Sequence, residues 1–377
     1  MTKLFHSSRS QGKLILVQGL RAFAALLVVI HHAQHEASAL AERIGAAFMP
    51  GAWLPWPAGV DVFFVISGFI IVHAARPLYG RPGARARFAA HRVARLVPLY
   101  WLVTGLYLAL GLAAPALLSG EGGPPDGARV LASFLFWPMA RPDRAVLPLY
   151  GLGWTLNYEM AFYALFALGL GLSRRGAVVW LVAALALLVL VGRLVPSPPV
   201  PLAFWSDPII LEFALGAGLA LARAEGARLG ALPRLALAGA GLLALAAAPP
   251  EPALRLLAWG LPAALLVAAA VLGRDRLEPV RGRLAAGLLA GAERLGDASY
   301  ALYLLHPFVL RATREALLRS GLAPSLGPWP SLILMVVLTL PAALLVHRLV
   351  ERPLTRLVRA RLDPPAGPVK GAAAPEG

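Results

Sequence analysis

The chain has 377 residues, of which 59% are hydrophobic and only 14% are charged, and its net charge is +16. Soluble globular domains have about half apolar and a quarter charged residues, so this composition excludes an ordinary soluble domain. The absence of cysteine excludes disulfides, cysteine metal sites and a thiolate nucleophile. The basic residues lie in short loops between apolar blocks, as topology signals do, and we therefore expect no nucleic-acid partner.

The apolar blocks are about twenty residues long, the length a helix needs to cross a hydrocarbon core of ~30 Å. They predict an all-α, polytopic membrane protein that lies in the lipid bilayer. The ten predicted spans are residues 13–33, 58–75, 96–113, 149–171, 177–195, 207–222, 232–248, 253–272, 298–318 and 328–347. A shorter apolar piece, residues 130–139, is predicted to lie at the membrane interface or to re-enter the membrane.

The distribution of Lys and Arg predicts that both termini are cytoplasmic, because most basic residues then fall in inside loops. Arg311, Arg314 and Arg319 fit this orientation poorly, since they fall at the outside end of the ninth span. The predicted domains are a membrane-embedded unit at residues 1–353 and a cytoplasmic tail at 354–377. The tail is basic and then rich in Pro, Ala and Gly, and we expect disorder beyond Leu362.

The first span carries two polar residues that an apolar helix does not need. Arg21 lies inside the helix, where an arginine costs roughly 2.5–3.5 kcal/mol on insertion scales, and such residues are usually functional. His32 follows eleven residues later, which is close to three helical turns, so both side chains leave the same face about 16 Å apart. The span ends without a small-residue cleavage site, so we predict that it is not a cleaved signal peptide.

Further polar residues mark later spans and one loop. They are Asp61, Ser67, Arg92, Arg95, Glu159, Tyr163, Glu212, Ser299, Tyr303 and His306. Several have a purely structural interpretation: basic residues at a helix end set topology, and a buried glutamate can bond neighbouring helices. A lone buried charge is very costly, so Arg21, Glu159 and His32 are expected to pair or to line a cavity. That expectation fits a transporter as well as it fits an enzyme.

Six segments, in order, carry a family resemblance. They read LRAFAALLVVIHHA, GVDVFFVISGFII, FAAHRVARLVPLYW, WTLNYEMAFYALF, SYALYLLHPF and ERPL. Together they resemble the acyltransferase-3 family of membrane acyltransferases, over about residues 14–354. The opening VQGLRAFAALLVV resembles the exopolysaccharide-production branch of that family. His31 stands where many members have tyrosine or phenylalanine.

The resemblance implies an O-acyltransferase of the bacterial inner (cytoplasmic) membrane. Its donor would be cytoplasmic acyl-CoA, with acetyl the commonest acyl group of the family, and its acceptor a hydroxyl of a cell-surface or exported polysaccharide or a lipid-linked glycan. Acyl-CoA would be a substrate, with no permanently bound cofactor and no metal. The family's arginine–histidine pattern maps onto Arg21 and His32, its arginine pair onto Arg92 and Arg95, and its acidic residue onto Glu159.

The roles that follow are hypotheses. Arg21, Arg92 and Arg95 would bind the donor, because the guanidinium fork suits phosphate. His32 would act as general base on the acceptor hydroxyl, and Glu159 would either orient His32 or pair with Arg21. The expected substrate pocket comprises Asp61, Ser67, Tyr163, Tyr303 and His306.

Three alternatives stay open at this point. Transfer could be direct or pass through an acyl-histidine. The other large class of membrane O-acyltransferases also uses a buried histidine. A lipid-linked sugar flippase or a proton-coupled transporter could use Arg21, Glu159 and His32 as a relay, and it would not consume acyl-CoA.

Overall fold

The computed structural model describes residues 15–113, 126–249, 254–273 and 283–362, and this part of the chain is almost entirely helical. An isolated bridge between Ala140 and Val146 is its only extended pairing. The helices are α1 (Ile15–Ile44), α2 (Gly59–Ala74), α3 (Ala84–Ala113), α4 (Gly127–Phe134), α5 (Trp154–Gly169), α6 (Arg174–Leu194), α7 (Val200–Trp205), α8 (Leu211–Ala224), α9 (Ala231–Ala247), α10 (Leu261–Val271), α11 (Arg283–Asp297), α12 (Ser299–Arg319), α13 (Ala323–Leu326), α14 (Pro328–Val346) and α15 (Arg352–Leu362). A π-helical turn precedes α10 at Leu256–Gly260, and another joins α14 to α15 at His347–Glu351.

Every predicted span coincides with one of these helices, and the prediction of a helical membrane protein is confirmed at that level. Five helical stretches are long and apolar enough to cross a membrane: Ile15–Ile44, Trp56–Ala74, Ala84–Ala113, Arg174–Leu194 and Pro328–Leu362. The helices at Ala231–Ala247 and Leu256–Val271 are apolar but shorter. The number of crossings and the side on which each terminus lies stay predictions.

Two helices extend well beyond their predicted apolar spans. α1 continues eleven residues past position 33 and ends at Gly45, whose positive φ of 66° suits a C-terminal cap. The amide of Ala46 donates to the carbonyl of Ala41 (2.9 Å), which closes the last turn. α3 begins twelve residues before position 96. Hydropathy marks where the sequence becomes polar, whereas capping decides where the helix ends.

Two further helices lie outside the predicted spans. α11 packs against α1 so closely that a Cβ at Gly296 would overlap the carbonyl oxygen of Gln18. α15 runs across the predicted domain boundary at 353/354 as a continuation of α14. The stretch beyond Leu362, which is predicted to be disordered, lies outside the described residues. The short apolar piece at 130–139 contains the end of α4 and exposes Leu131, Leu135, Trp137 and Met139.

Two of the three arginines that fit the charge rule poorly, Arg311 and Arg314, have local counter-ions. Arg311 and Arg314 contact Glu36 of α1 at 3.4 and 2.5 Å, and Arg314 also contacts Glu315 at 2.8 Å. These carboxylates offset the positive charge of the ninth predicted span where it meets α1. The arginines therefore join two helix ends in addition to any effect on topology.

α2 belongs to the most buried of the five long apolar stretches, and small residues hold it against α8. Ideal Cβ atoms at Gly68 and Gly216 would overlap the carbonyl oxygens of Phe213 and Val65 respectively. Only glycine permits this approach of two backbones, as at many helix crossings in membranes. The contact fixes α2 from one side and leaves its other faces free to border other helices.

We expect Gly216→Ala to lower the stability of the fold by about 1–3 kcal/mol, because the added methyl group forces α2 and α8 apart. Gly218→Ala is the matched control in the same helix, since nothing lies within 4 Å of its Cβ position. The control should be neutral or stabilising, because glycine costs up to about 1 kcal/mol relative to alanine in a helix. Thermal unfolding in detergent, followed by circular dichroism, measures both; equal melting temperatures would contradict the packing argument.

Candidate functional site

One cavity with an empty volume of about 820 Å³ lies between α1, α2, α3, α5 and α12. Its lining combines charged, hydroxyl and apolar side chains from all five helices. The lining residues are Arg21, Val60, Phe63, Phe64, Ile66, Ser67, Ile70, Ile71, Arg92, Arg95, Leu96, Thr155, Leu156, Glu159, Tyr163, Ser299, Tyr300 and Tyr303. Eight of the residues singled out from the sequence therefore border one space: the three donor-binding candidates, Glu159, Ser67, Tyr163, Ser299 and Tyr303.

The cavity is elongated, because it follows one face of α2. Its lining on that helix runs from Val60 to Ile71, eleven residues or about 16 Å. The close contact with α8 occupies a neighbouring face of α2, where Gly68 lies. Ser67 and Gly68 point about 100° apart on the helix, so one residue faces the cavity and the other the packing contact.

Three guanidinium groups gather near one end of the cavity, and we call them the arginine cluster (Arg21, Arg92 and Arg95). Arg92 and Arg95 are three residues apart on α3, which brings both side chains to one face. Among the described residues, no carboxylate oxygen lies within 4.0 Å of Arg21 or Arg92. Arg21 hydrogen-bonds to Gln18 (3.4 Å), whereas the Arg92 guanidinium lies 5.7 Å from the ring centre of Phe88. The Nε of Arg92 is buried without an acceptor.

Arg95 differs from the other two because it has a carboxylate partner. Its Nη1 lies 3.6 Å from Glu351, whose side chain is only 2% exposed. Glu351 in turn lies 2.7 Å from His347 Nδ1, across the π-helical turn between α14 and α15. The ERPL segment thus packs behind the arginine cluster, a role that its position in the sequence did not indicate.

Glu159 binds two hydroxyl groups of the cavity wall. Ser67 donates to its Oε1 (3.0 Å), and Tyr163 donates to the same oxygen. In the described structure Glu159 forms neither a hydrogen bond nor an ion pair with His32 or Arg21, the two partners considered from the sequence. Glu159 lies near the arginine cluster, about three turns of α1 from His32, and its Oε1 already accepts hydrogen bonds from Ser67 and Tyr163.

The rest of the lining mixes hydroxyl groups with apolar surface. Tyr303 and Thr155 join their hydroxyls (3.0 Å) across α12 and α5. Tyr300 donates to the carbonyl of Leu96 (2.7 Å). The hydroxyl of Ser299 is buried and has no hydrogen-bond partner in the structure. Such a wall can accept a long, flexible ligand whose polar groups alternate with methylene groups.

His32 and His306 lie beyond Tyr303, outside the cavity lining, and we call them the imidazole pair. Their ring centres are 5.0 Å apart, and the His306 ring centre is 6.2 Å from that of Tyr303. His32 Nδ1 lies 2.9 Å from the carbonyl oxygen of Val28, and His306 Nδ1 lies 3.1 Å from that of Leu302. His306 is fully buried, whereas His32 is half-buried.

Asp61 also lies outside the cavity lining, although the sequence placed it among the pocket candidates. It is fully buried and accepts two hydrogen bonds from Arg255, at 2.9 and 2.8 Å. Glu212 is buried nearby, against Gly260, and its oxygens have no hydrogen-bond partner. Arg255 was not singled out from the sequence. The signal available was one arginine inside the eighth predicted span, which needs a buried partner.

The site combines two groups of side chains that suit different chemical tasks. The arginine cluster can hold an anion of several charges, because guanidinium groups bind phosphate oxygens with paired donors. The imidazole pair offers ring nitrogens that can accept a proton or a hydrogen bond. The cavity between them is apolar and hydroxyl-lined, so it suits the linker between a charged head and a reacting group.

Comparison with known proteins agrees with this chemistry. A model of the acyltransferase-3 family, described as an acyltransferase domain, matches residues 15–348. The exopolysaccharide production protein ExoZ of Rhizobium meliloti (strain 1021) is 35% identical over 85% of this chain and 95% of its own length. Acyltransferase MdmB of Streptomyces mycarofaciens is 30% identical over 91% of this chain and 92% of its own length. No solved structure matches the chain at a significant level.

These matches confirm the resemblance carried by the six sequence segments, since the family model covers nearly all of the described residues. They also favour an enzyme over the transporter alternative, because the family model is described as an acyltransferase domain and the Streptomyces relative is named an acyltransferase. The chain belongs to the acyltransferase-3 family and is a membrane-embedded acyltransferase.

Proposed function

We propose that this enzyme moves an acetyl group from cytoplasmic acetyl-CoA to a hydroxyl of an exported or cell-surface polysaccharide, across the bacterial inner membrane. The observation that carries the proposal is the arginine cluster, in which Arg21 and Arg92 have no carboxylate partner among the described residues yet border a largely apolar cavity. The printed name of the relative from Rhizobium meliloti supports the polysaccharide acceptor. Ten spans with both termini in the cytoplasm complete the proposed topology.

The donor is proposed to enter from the cytoplasmic side, where the arginine cluster receives its phosphate groups. The thioester arm then lies along α2, past Ser67 and Glu159. The roughly 16 Å of cavity between Ile71 and Val60 suits such an arm, and the hydroxyls of Ser299, Tyr300 and Tyr303 can bond its amide groups. Glu159 holds Ser67 and Tyr163 in place along this path and offsets part of the positive charge.

His32 is proposed as the base that activates the acceptor hydroxyl. Because Nδ1 donates its proton to the carbonyl of Val28, Nε2 is left as the free, basic nitrogen. The acceptor oxygen attacks the thioester carbonyl carbon while Nε2 takes the hydroxyl proton. The carbon–sulfur bond then breaks, the ester forms, and the imidazolium returns its proton to the leaving thiolate. Direct transfer needs no covalent enzyme intermediate.

Two measurements test the proposed function as a whole. Ester-linked acetyl on the host's surface polysaccharide should disappear when the gene is deleted and return on complementation. Membranes that contain the enzyme should release free CoA from acetyl-CoA when polysaccharide stripped of its esters by mild alkali is added. Unchanged acetylation in the deletion strain, or movement of glycan without consumption of acetyl-CoA, would favour the transporter alternative.

We expect His32→Ala to lower acetyl transfer by about 10²- to 10⁴-fold, the usual contribution of a general base. Its dissociation constant for CoA should stay within about twofold of the wild type, because His32 lies outside the cavity that holds the donor. CoA release and radiolabelled CoA binding measure the two quantities. Normal acetylation of the polysaccharide by this variant would contradict the role of His32.

We expect Arg92→Ala combined with Arg95→Ala to raise the dissociation constant for CoA by at least about tenfold, since a hydrogen bond to a charged group contributes about 1.5–3 kcal/mol. Arg85→Ala combined with Arg87→Ala is the matched control, because it removes the same two charges from the same helix at exposed positions outside the cavity. Radiolabelled CoA binding compares the two. An equal loss of affinity in both would mean that CoA responds only to net charge.

A further inference from the structure

His306 has an unusual environment for a fully buried side chain. Its Nδ1 lies 3.1 Å from the carbonyl oxygen of Leu302, four residues earlier on α12. A carbonyl accepts only, so this nitrogen carries the proton and Nε2 is left as a bare acceptor. Nε2 is buried and has no hydrogen-bond partner among the described residues. Leaving such an acceptor unsatisfied costs about 1–3 kcal/mol.

The ring beside His306 belongs to the proposed base. The ring centres of His32 and His306 are 5.0 Å apart, and each ring is tied to its own helix through Nδ1. This attachment turns both Nε2 atoms away from their own backbones. In the resting enzyme neither Nε2 carries a proton, so neither can donate to the other.

The charge that forms on His32 during transfer lacks the usual partner. In many enzymes a carboxylate stabilises the imidazolium that a general base becomes. Here no carboxylate oxygen lies within 4.0 Å of His32 in the part of the chain that the structure describes, and Glu159 is bound to Ser67 and Tyr163. The side chains whose rings face His32 are those of His31, His35 and His306.

We propose that His306 is a positioning residue for the base, whose buried Nε2 accepts a hydrogen bond from His32 once His32 carries the proton of the acceptor hydroxyl. This inference rests on the proposed function and adds a second acceptor to the Val28 carbonyl, which already binds Nδ1–H of His32. The single N–H formed at Nε2 is shared between His306 and the substrate: His306 accepts it while the tetrahedral intermediate exists, and the leaving thiolate then takes the proton, so no proton is consumed.

The timing of this hydrogen bond is what makes it catalytic. Before transfer, Nε2 of His306 is unsatisfied; at the transition state, the new N–H on His32 satisfies it. An interaction that exists only when charge has developed lowers the barrier without tightening substrate binding. The unsatisfied Nε2 of His306 thus destabilises the resting enzyme, and this destabilisation is relieved in the transition state.

The two neighbouring histidines differ in a way that provides a matched control. The His31 ring centre is also 5.0 Å from that of His32. Its Nε2, however, lies 3.3 Å from Nε2 of His35, so its ring already has a partner. A variant of His31 therefore removes an imidazole at the same ring distance without removing an orphaned acceptor.

The test compares His306→Leu, His306→Gln and His31→Leu as full-length enzymes in detergent, with acetyl-CoA and alkali-treated polysaccharide of the parent strain. His306→Leu should lower kcat by about 10- to 100-fold, the worth of one hydrogen bond to a charged group. KM for acetyl-CoA should change less than twofold, and the melting temperature should be equal or higher, because an unsatisfied polar atom has been replaced by an apolar group. His306→Gln keeps an acceptor oxygen and should recover at least part of kcat, whereas His31→Leu should stay within about threefold of the wild type.

Two results would overturn the proposal. One is a kcat for His306→Leu no lower than that of His31→Leu. The other is a loss of kcat in His306→Leu that accompanies a lower melting temperature and is not relieved in His306→Gln, which is the pattern of a structural residue. Both results leave the proposed function standing if His32→Ala is inactive, and that function fails separately if the wild type does not consume acetyl-CoA.

Discussion

The structure depends on positive charge held inside an apolar bundle. Arg21 and Arg92 border a cavity whose other walls are largely hydrocarbon and hydroxyl, and neither has a carboxylate within ion-pair distance in the described residues. Buried charge without a partner is among the most costly features that a fold can contain. Glu159 and the Glu351–Arg95 pair offset part of this cost. A ligand that brings several negative charges would offset the remainder, which is the physical basis of the proposed phosphate-bearing donor.

The packing of α2 keeps this cavity open. Gly68 and Gly216 let the backbones of α2 and α8 touch, which holds α2 from one side. Another face of α2 carries Phe63, Ser67 and Ile70, which form part of the cavity wall. If α2 packed through larger residues, it would move towards α1 and α3 and narrow the space. The glycines in the contact between α2 and α8 therefore determine the width of the cavity on another face of α2.

The sequence predicts single helices far better than contacts between them. Apolar length and the cost of a buried arginine were enough to place ten helices and to mark Arg21, and the three-residue spacing was enough to aim Arg92 and Arg95 together. The partners of Asp61 and Glu159 were not predictable in this way, because Arg255 and Ser67 lie on other helices and no local pattern fixes which helices meet. The same holds for His32 and His306, which are 274 positions apart in the chain but adjacent in the fold.

Arg21 and His32 are well separated along α1, so donor binding and proton transfer would take place at different ends of the site. Arg21 and His32 lie three turns apart, so no single small molecule of a few atoms can contact both. The proposed donor, with a charged head and a long arm, would contact both, its head at the arginine cluster and its thioester near the imidazole pair. In this proposal binding strength comes from charge at one end, and bond formation from proton transfer at the other. An imidazole pair suits the second task in an apolar setting, because it is uncharged until the reaction itself supplies the proton.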